Sequence, residues 1–190
     1  MQRLDNPSGI QQQADDEQWR SGLATIALGL AVALGINSWV AEFRYVPSAS
    51  MEPTVRTHDR VVVEKLSYRF HLPQRDDIVV FNPTPALIKQ HIYGALIKRV
   101  IGLPGEQVQI KGGQVFVNHQ SLHENFVAAK PNYSWGPQTI PANSYLVLGD
   151  NRNHSYDGHC WGFVESDRVI GRAVFRYWPL KHLGGLSSHV

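Results

Sequence analysis

Hydrophobic residues along this chain follow two regimes. From Gly22 to Ala41 the sequence runs GLATIALGLAVALGINSWVA, without a charged residue. About 20 apolar residues is the length at which a helix crosses the hydrocarbon core of a bilayer. A single N-terminal transmembrane helix is expected over residues 21–42, behind a polar tail over residues 1–20. Trp39, Phe43 and Tyr45 stand where interfacial aromatics anchor such a helix. A buried soluble helix and a cleaved signal peptide are the other readings. The run is long for a signal-peptide core, and the preceding residues, with Asp5, Asp15, Asp16 and Glu17, are too acidic for its leading region.

After residue 42 the period changes. Arg60–Glu64, Asp77–Phe81 and Tyr145–Leu148 are short, β-branched or apolar runs bounded by turn residues. Gln107–Ile110 and Gln114–Val117 alternate on either side of Lys111-Gly112-Gly113, a hairpin signature. Arg168–Trp178 alternates so that Val169, Gly171, Ala173, Phe175 and Tyr177 share one face. Ala86–Gly94 is ambiguous. The fold class expected is mainly β: the transmembrane helix, then an antiparallel, barrel- or sandwich-like β domain over residues 43–190.

Composition narrows the class. The 190 residues are 43% hydrophobic and 18% charged, enough for one real core. A net charge of +2 does not argue for a nucleic-acid partner. The single cysteine, Cys160, excludes an intrachain disulfide. Counting Lys and Arg on either side of the apolar segment does not orient it.

Three places carry candidate chemistry. Pro47-Ser48-Ala49-Ser50-Met51-Glu52-Pro53-Thr54 follows the apolar segment directly. Its prolines stiffen the backbone, and Ser48 and Ser50 lie on the same side of an extended chain. A serine hydroxyl attacks only when a base takes its proton. Lys98, in Ala95-Leu96-Ile97-Lys98-Arg99-Val100-Ile101, shares a strand face with Leu96 and Val100, so one of two adjacent basic residues must turn inward. A lysine among apolar neighbours loses hydration and becomes a plausible neutral base, which arginine does not. The third place is the polar loop Gly149–Gly162. Its His154, Asp157 and His159 permit a serine–histidine–aspartate arrangement, and Cys160 a nucleophile. His154, His159 and Cys160 match no common zinc spacing.

Together these elements resemble type I signal peptidases, membrane-anchored serine proteases that cleave signal peptides from exported proteins. The resemblance rests on Pro47–Thr54, His58-Asp59-Arg60-Val61, Lys98–Glu106 and Gly149–Gly162, in that order after an apolar segment. It implies Ser50 as nucleophile and Lys98 as general base. It implies Ser48 as an oxyanion donor, Ser155 as the serine that orients the lysine, and Asp157 as a nearby acidic residue. Val46, Met51, Leu96 and Ile97 are the positions implied for the small pockets that select Ala-X-Ala sites. No metal or cofactor is implied. The implied partners are signal peptides of preproteins, the lipid bilayer and the protein translocation machinery. The implied location is the cell membrane, single-pass, with the catalytic domain on the extracytoplasmic side, periplasmic or lumenal.

Four positions depart from the usual pattern: Ala49 and His58 for glycine, Asn153 for an acidic residue, His159 for arginine. Exposed aromatics such as Trp135 or Trp178 would seat the domain on lipid or belong to the core. Two rival readings are another membrane-anchored serine–lysine peptidase of narrow specificity and a non-catalytic membrane-anchored β scaffold.

Overall fold

A computed structural model describes residues 19, 20, 22–33, 35 and 39–186. Contacts divide the chain into two units, residues 1–40 and 41–190. In the first, residues 22–33 are helical, and Leu23, Ile26, Leu28, Leu30 and Val32 are exposed. Among the described residues no helix is long and apolar enough to cross a membrane. The span expected over 21–42 includes residues 21, 34 and 36–38, which lie outside the described set, as does most of the expected tail.

The second unit is mainly β. Its strands are β1 (Ala41–Tyr45), β2 (Arg60–Glu64), β3 (Ile78–Phe81), β4 (Leu96–Gly102), β5 (Gln107–Lys111) and β6 (Gln114–Val117). There follow β7 (Gln120–Ser121), β8 (Trp135–Thr139), β9 (Ser144–Leu148), β10 (Val164–Glu165), β11 (Val169–Trp178) and β12 (Gly184–Gly185). Because β1 begins at Ala41, Ala41 and Glu42 belong to the sheet and not to the apolar segment that precedes it.

All strand pairs are antiparallel. The larger sheet runs β1-β2-β11-β3-β4-β9-β10, with β12 added to β11; the smaller runs β7-β6-β5-β8. Strand β3 is buried on both faces, which explains its unbroken Ile-Val-Val-Phe run. Ile78 and Val80 pack with Val61, Val63 and Ala173 on one side. Val79 and Phe81 pack with Val100, Tyr145 and Val147 on the other. A third cluster joins the two sheets: Ile101, Leu146 and Leu148 meet Val108, Ile110, Val115 and Val117. The β5–β6 turn has Gly112 and Gly113 at φ 59° and 75°, the left-handed pair that a two-residue hairpin requires.

Two expectations change. The ambiguous stretch after Ala86 holds one helical turn, Pro85–Ile88, capped by Thr84. The alternation expected along β11 fails after Ala173, because register shifts occur between Ala173 and Phe175 and between Arg176 and Trp178. A bulge inserts a residue and resets the side-chain faces, so Gly171 and Ala173 are buried whereas Phe175 is exposed. Trp135 packs edge-on against Phe163 beside the third cluster, while Trp178 is exposed.

Candidate active site

Ser50 sits in a 3-10 turn, Ala49–Met51, entered from an extended Ser48. The turn is anchored from below by Met51, wholly buried among Val46, Val55 and Val61. From the side it is held by the 149–155 loop. Asn151 donates its backbone N–H to the Ser50 carbonyl at 3.1 Å and its side-chain amide to the Ala49 carbonyl at 3.2 Å.

Lys98 reaches this turn from β4. Its Nζ donates to Ser50 Oγ at 2.7 Å and to the Ile97 carbonyl at 3.0 Å. Lys98 is 4% exposed and Ser50 7%. Burial pushes the Lys98 amine from its ordinary 10.5 down to about 8, against the opposing pull of the Asp157 and Asp150 carboxylates. Ser48 Oγ lies 3.2 Å from Ser50 Oγ. A hydroxyl in contact with a buried amine that sheds its proton near neutral pH is an activated nucleophile.

The adjacent Arg99 is buried as well, so both basic residues turn inward, where the sequence required only one. Each has a different partner. Arg99 Nε and Nη2 reach Asp150 Oδ1 and Oδ2 at 2.8 and 2.7 Å, and Thr54 Oγ1 donates to Asp150 Oδ2 at 2.6 Å. This pair ties the strand that carries Lys98 to the loop that holds Ser50.

Asp157 is fully buried. It accepts the Gly149 backbone N–H at 2.8 Å, and its Oδ1 lies 2.7 Å from His159 Nδ1. It also caps the helical turn Gly158–Trp161. His159 stacks on Tyr133 at 4.1 Å and 18°, and Cys160 Sγ lies 3.2 Å from His159 Nε2. His159 is thus engaged with Asp157, and His154 and Cys160 are exposed. The basic side chain in contact with Ser50 is that of Lys98. Ser155 Oγ is buried and has no hydrogen-bond partner among the described residues.

Gly149 explains the closeness of loop and turn. A Cβ there would lie 2.3 Å from Ser155 Oγ and 2.4 Å from the Ser50 carbonyl oxygen. Of the four positions implied for pockets, Val46, Met51 and Ile97 share one apolar cluster, and Leu96 packs into the cluster on the other side of the sheet. The sequence left the roles of Arg99, Asp150, Asn151, Arg152 and Gly149 unassigned. The polar loop signalled that a site lay there, but not which side chains brace it.

The family model described as signal peptidase, peptidase S26, matches residues 19–178. A signal peptidase I of Leptolyngbya laminosa is 53% identical over 95% of this chain and 90% of its own length. Thylakoidal processing peptidase 1 of Arabidopsis thaliana is 40% identical over 84% of this chain and 48% of its own. A solved signal peptidase I from Enterococcus faecalis, 33% identical, covers 54% of this chain and 97% of its own at a TM-score of 0.45. The match across most of the chain, with this identity, shows that the protein belongs to the signal peptidase family, peptidase S26.

Proposed function

We propose that this protein is a membrane-bound serine endopeptidase that removes N-terminal signal peptides from exported preproteins after Ala-X-Ala-type sites, with Ser50 as nucleophile and Lys98 as general base. The observation that carries this reading is the 2.7 Å contact between Lys98 Nζ and Ser50 Oγ, both buried.

The reaction follows from that contact. Neutral Lys98 takes the Ser50 proton as Oγ attacks the carbonyl carbon of the residue at −1. The oxyanion is held by the Ser48 hydroxyl and the Ser50 N–H. Lys98, now an ammonium, gives its proton to the leaving amine as the C–N bond breaks. Lys98 then takes a proton from water, the hydroxide attacks the ester carbonyl, and Ser50 leaves with that proton. Ser155, whose buried hydroxyl has no hydrogen-bond partner among the described residues, is the group proposed to turn toward the amine and orient it, and Asp157 holds the Gly149 backbone in place.

The peptide enters as an added strand. On β4, Val100 exchanges hydrogen bonds with Asp76 and Asp77 on the β3 side. Antiparallel alternation then turns the Ile97 carbonyl to the other side, beyond Leu148, where β9 ends. On β1, Val46 is bonded to Asp59 and His58, which turns the Tyr45 backbone to the open edge. The substrate lies between these two edges, with Val46, Met51 and Ile97, which share one cluster, limiting side-chain size; Leu96 packs into the other cluster and is set apart from them.

The apolar segment that precedes β1 is the anchor in this reading, single-pass, with the catalytic unit on the extracytoplasmic side, periplasmic or lumenal. Exposed Phe43, Tyr45, Phe175 and Trp178 offer apolar surface for the bilayer. An anchor shared with the substrate's own membrane raises effective concentration. The translocation machinery would deliver the substrate.

The test is cleavage of a preprotein with an Ala-X-Ala site by the detergent-solubilised protein. The native form should cut after that motif; Ser50→Ala, Lys98→Ala and Lys98→Arg should not. Processing by Ser50→Ala would refute the assignment.

A further inference from the structure

The segment between β7 and β8, residues 122–134, crosses from the small sheet to the loop beneath Ser50. It makes three kinds of contact there. Glu124 accepts two hydrogen bonds from Arg152, at 2.7 and 2.5 Å. Phe126 offers its ring to two guanidinium groups, 4.0 Å from Arg99 and 5.9 Å from Arg152. Asn132 donates its N–H to Asn153 Oδ1 at 2.8 Å, and Asn153 Nδ2 donates to the Lys130 carbonyl at 3.0 Å.

Arg152 is wholly buried at its side chain, and Glu124 is 9% exposed there. A buried, bidentate arginine–carboxylate pair has one preferred geometry, because its planar fork must match both oxygens. Arg152 Nε also donates to the Gly149 carbonyl at 3.1 Å. A continuous path results. Glu124 fixes Arg152; Arg152 fixes the Gly149–Asn151 backbone; Asn151 fixes the Ser50 carbonyl.

We propose that Glu124 is a positioning residue for the nucleophile, acting through Arg152, so that the small sheet is part of the catalytic apparatus. The proposal rests on the reading of Ser50 and Lys98 above. Glu124 does not touch substrate in this scheme, and binding of the peptide along β1 and β4 does not involve it. Its loss therefore acts on kcat and spares KM. Burial lowers the Lys98 amine, and the carboxylates that oppose this are Asp157 and Asp150, not Glu124, so the pH at which kcat rises also stays in place. Misplacing a reacting group by a fraction of an ångström is enough to slow a reaction roughly tenfold or more.

The experiment uses the full-length protein in detergent with an Ala-X-Ala preprotein, and variants Glu124→Gln, Arg152→Met and the double variant. Glu124→Gln is expected to lower kcat about tenfold with KM and the pH midpoint unchanged. In the Arg152→Met background it should have no further effect, the signature of two residues acting as one unit. Unchanged kcat in Glu124→Gln, an equal loss in both backgrounds, or a loss carried by KM or by a shifted pH midpoint overturns the proposal. If Glu124→Gln proves unstable, Glu124→Asp, which keeps the charge and shortens the reach, decides: lower kcat at native KM supports it, native kcat overturns it. Ser50→Ala runs alongside. Activity in that variant refutes the dyad itself, a failure separate from that of the Glu124 path.

Discussion

Arg99 and Asp150, 51 residues apart in the chain, form a two-pronged ion pair with side chains 2% and 0% exposed. Arg99 also donates to the Asp76 carbonyl at 2.8 Å. The pair sits one residue from the proposed base and in the loop that holds the proposed nucleophile. Removing one member leaves the other charged, buried and unmatched. Asp150→Asn is expected to cost about 3–5 kcal/mol of stability, with a smaller cost when both residues are replaced by apolar ones of similar volume. Chemical denaturation of the two variants measures the difference.

With Lys98 as the proposed base, its ionisation is expected to set the pH dependence of activity. Its amine is depressed to about 8 by burial, and only the neutral form accepts the Ser50 proton. Below that pH the fraction of neutral amine falls tenfold per unit, so log kcat should climb with a slope near one and level off above about 8. A pH profile of kcat checks this. A flat profile through neutrality would remove Lys98 from the role of base.

The same depression makes Lys98 a cost to the fold. Moving an amine from 10.5 to about 8 corresponds to roughly 3 kcal/mol against the charged form. At pH 7 the unfolded chain and the native protein are both protonated at this site, and the native one bears the full penalty. Between about 8 and 10.5 the unfolded state holds the proton and the native state has released it, so stability rises with pH in that window. Lys98→Met should therefore be inactive yet more stable at pH 7 by about 1–3 kcal/mol. The gain should shrink above pH 8. Thermal midpoints of both proteins at pH 7 and pH 10 provide the comparison; a less stable methionine variant at pH 7 would contradict it.

Gly149→Ala probes the closeness of the loop and the serine turn. The added methyl would meet the Ser50 carbonyl oxygen at 2.4 Å, a backbone atom with no freedom to rotate away. The turn must shift as a whole, carrying Ser50 Oγ off the Lys98 amine. Expected is a loss of kcat of at least about a hundredfold, together with destabilisation of about 1–3 kcal/mol from overpacking. Kinetics and denaturation of the purified variant test both parts.

Much of this architecture is written in local pattern. The β5–β6 hairpin follows from paired glycines between alternating runs, and β3 from an apolar run that ends before a proline. The inward turn of Lys98 follows from its place among Leu, Ile and Val, since a strand must send alternate residues to opposite faces. The stiff serine segment, the lysine strand and the polar loop also stood in their order along the chain.

What tertiary structure alone decided is how distant segments meet. No local rule brings Lys98 within 2.7 Å of a serine 48 residues away, nor buries Arg99 alongside it. The bulges that turn Phe175 outward arise from pairing with β2, which the sequence of β11 does not contain. Glu124 and Phe126 lie in a stretch without periodicity, and their partners are distant in the chain: Arg152 is 28 positions from Glu124 and Arg99 is 27 from Phe126. Side-chain periodicity records which face a residue presents; which other segment occupies that face depends on the closure of long loops and the packing of one sheet on another, and these are properties of the folded chain.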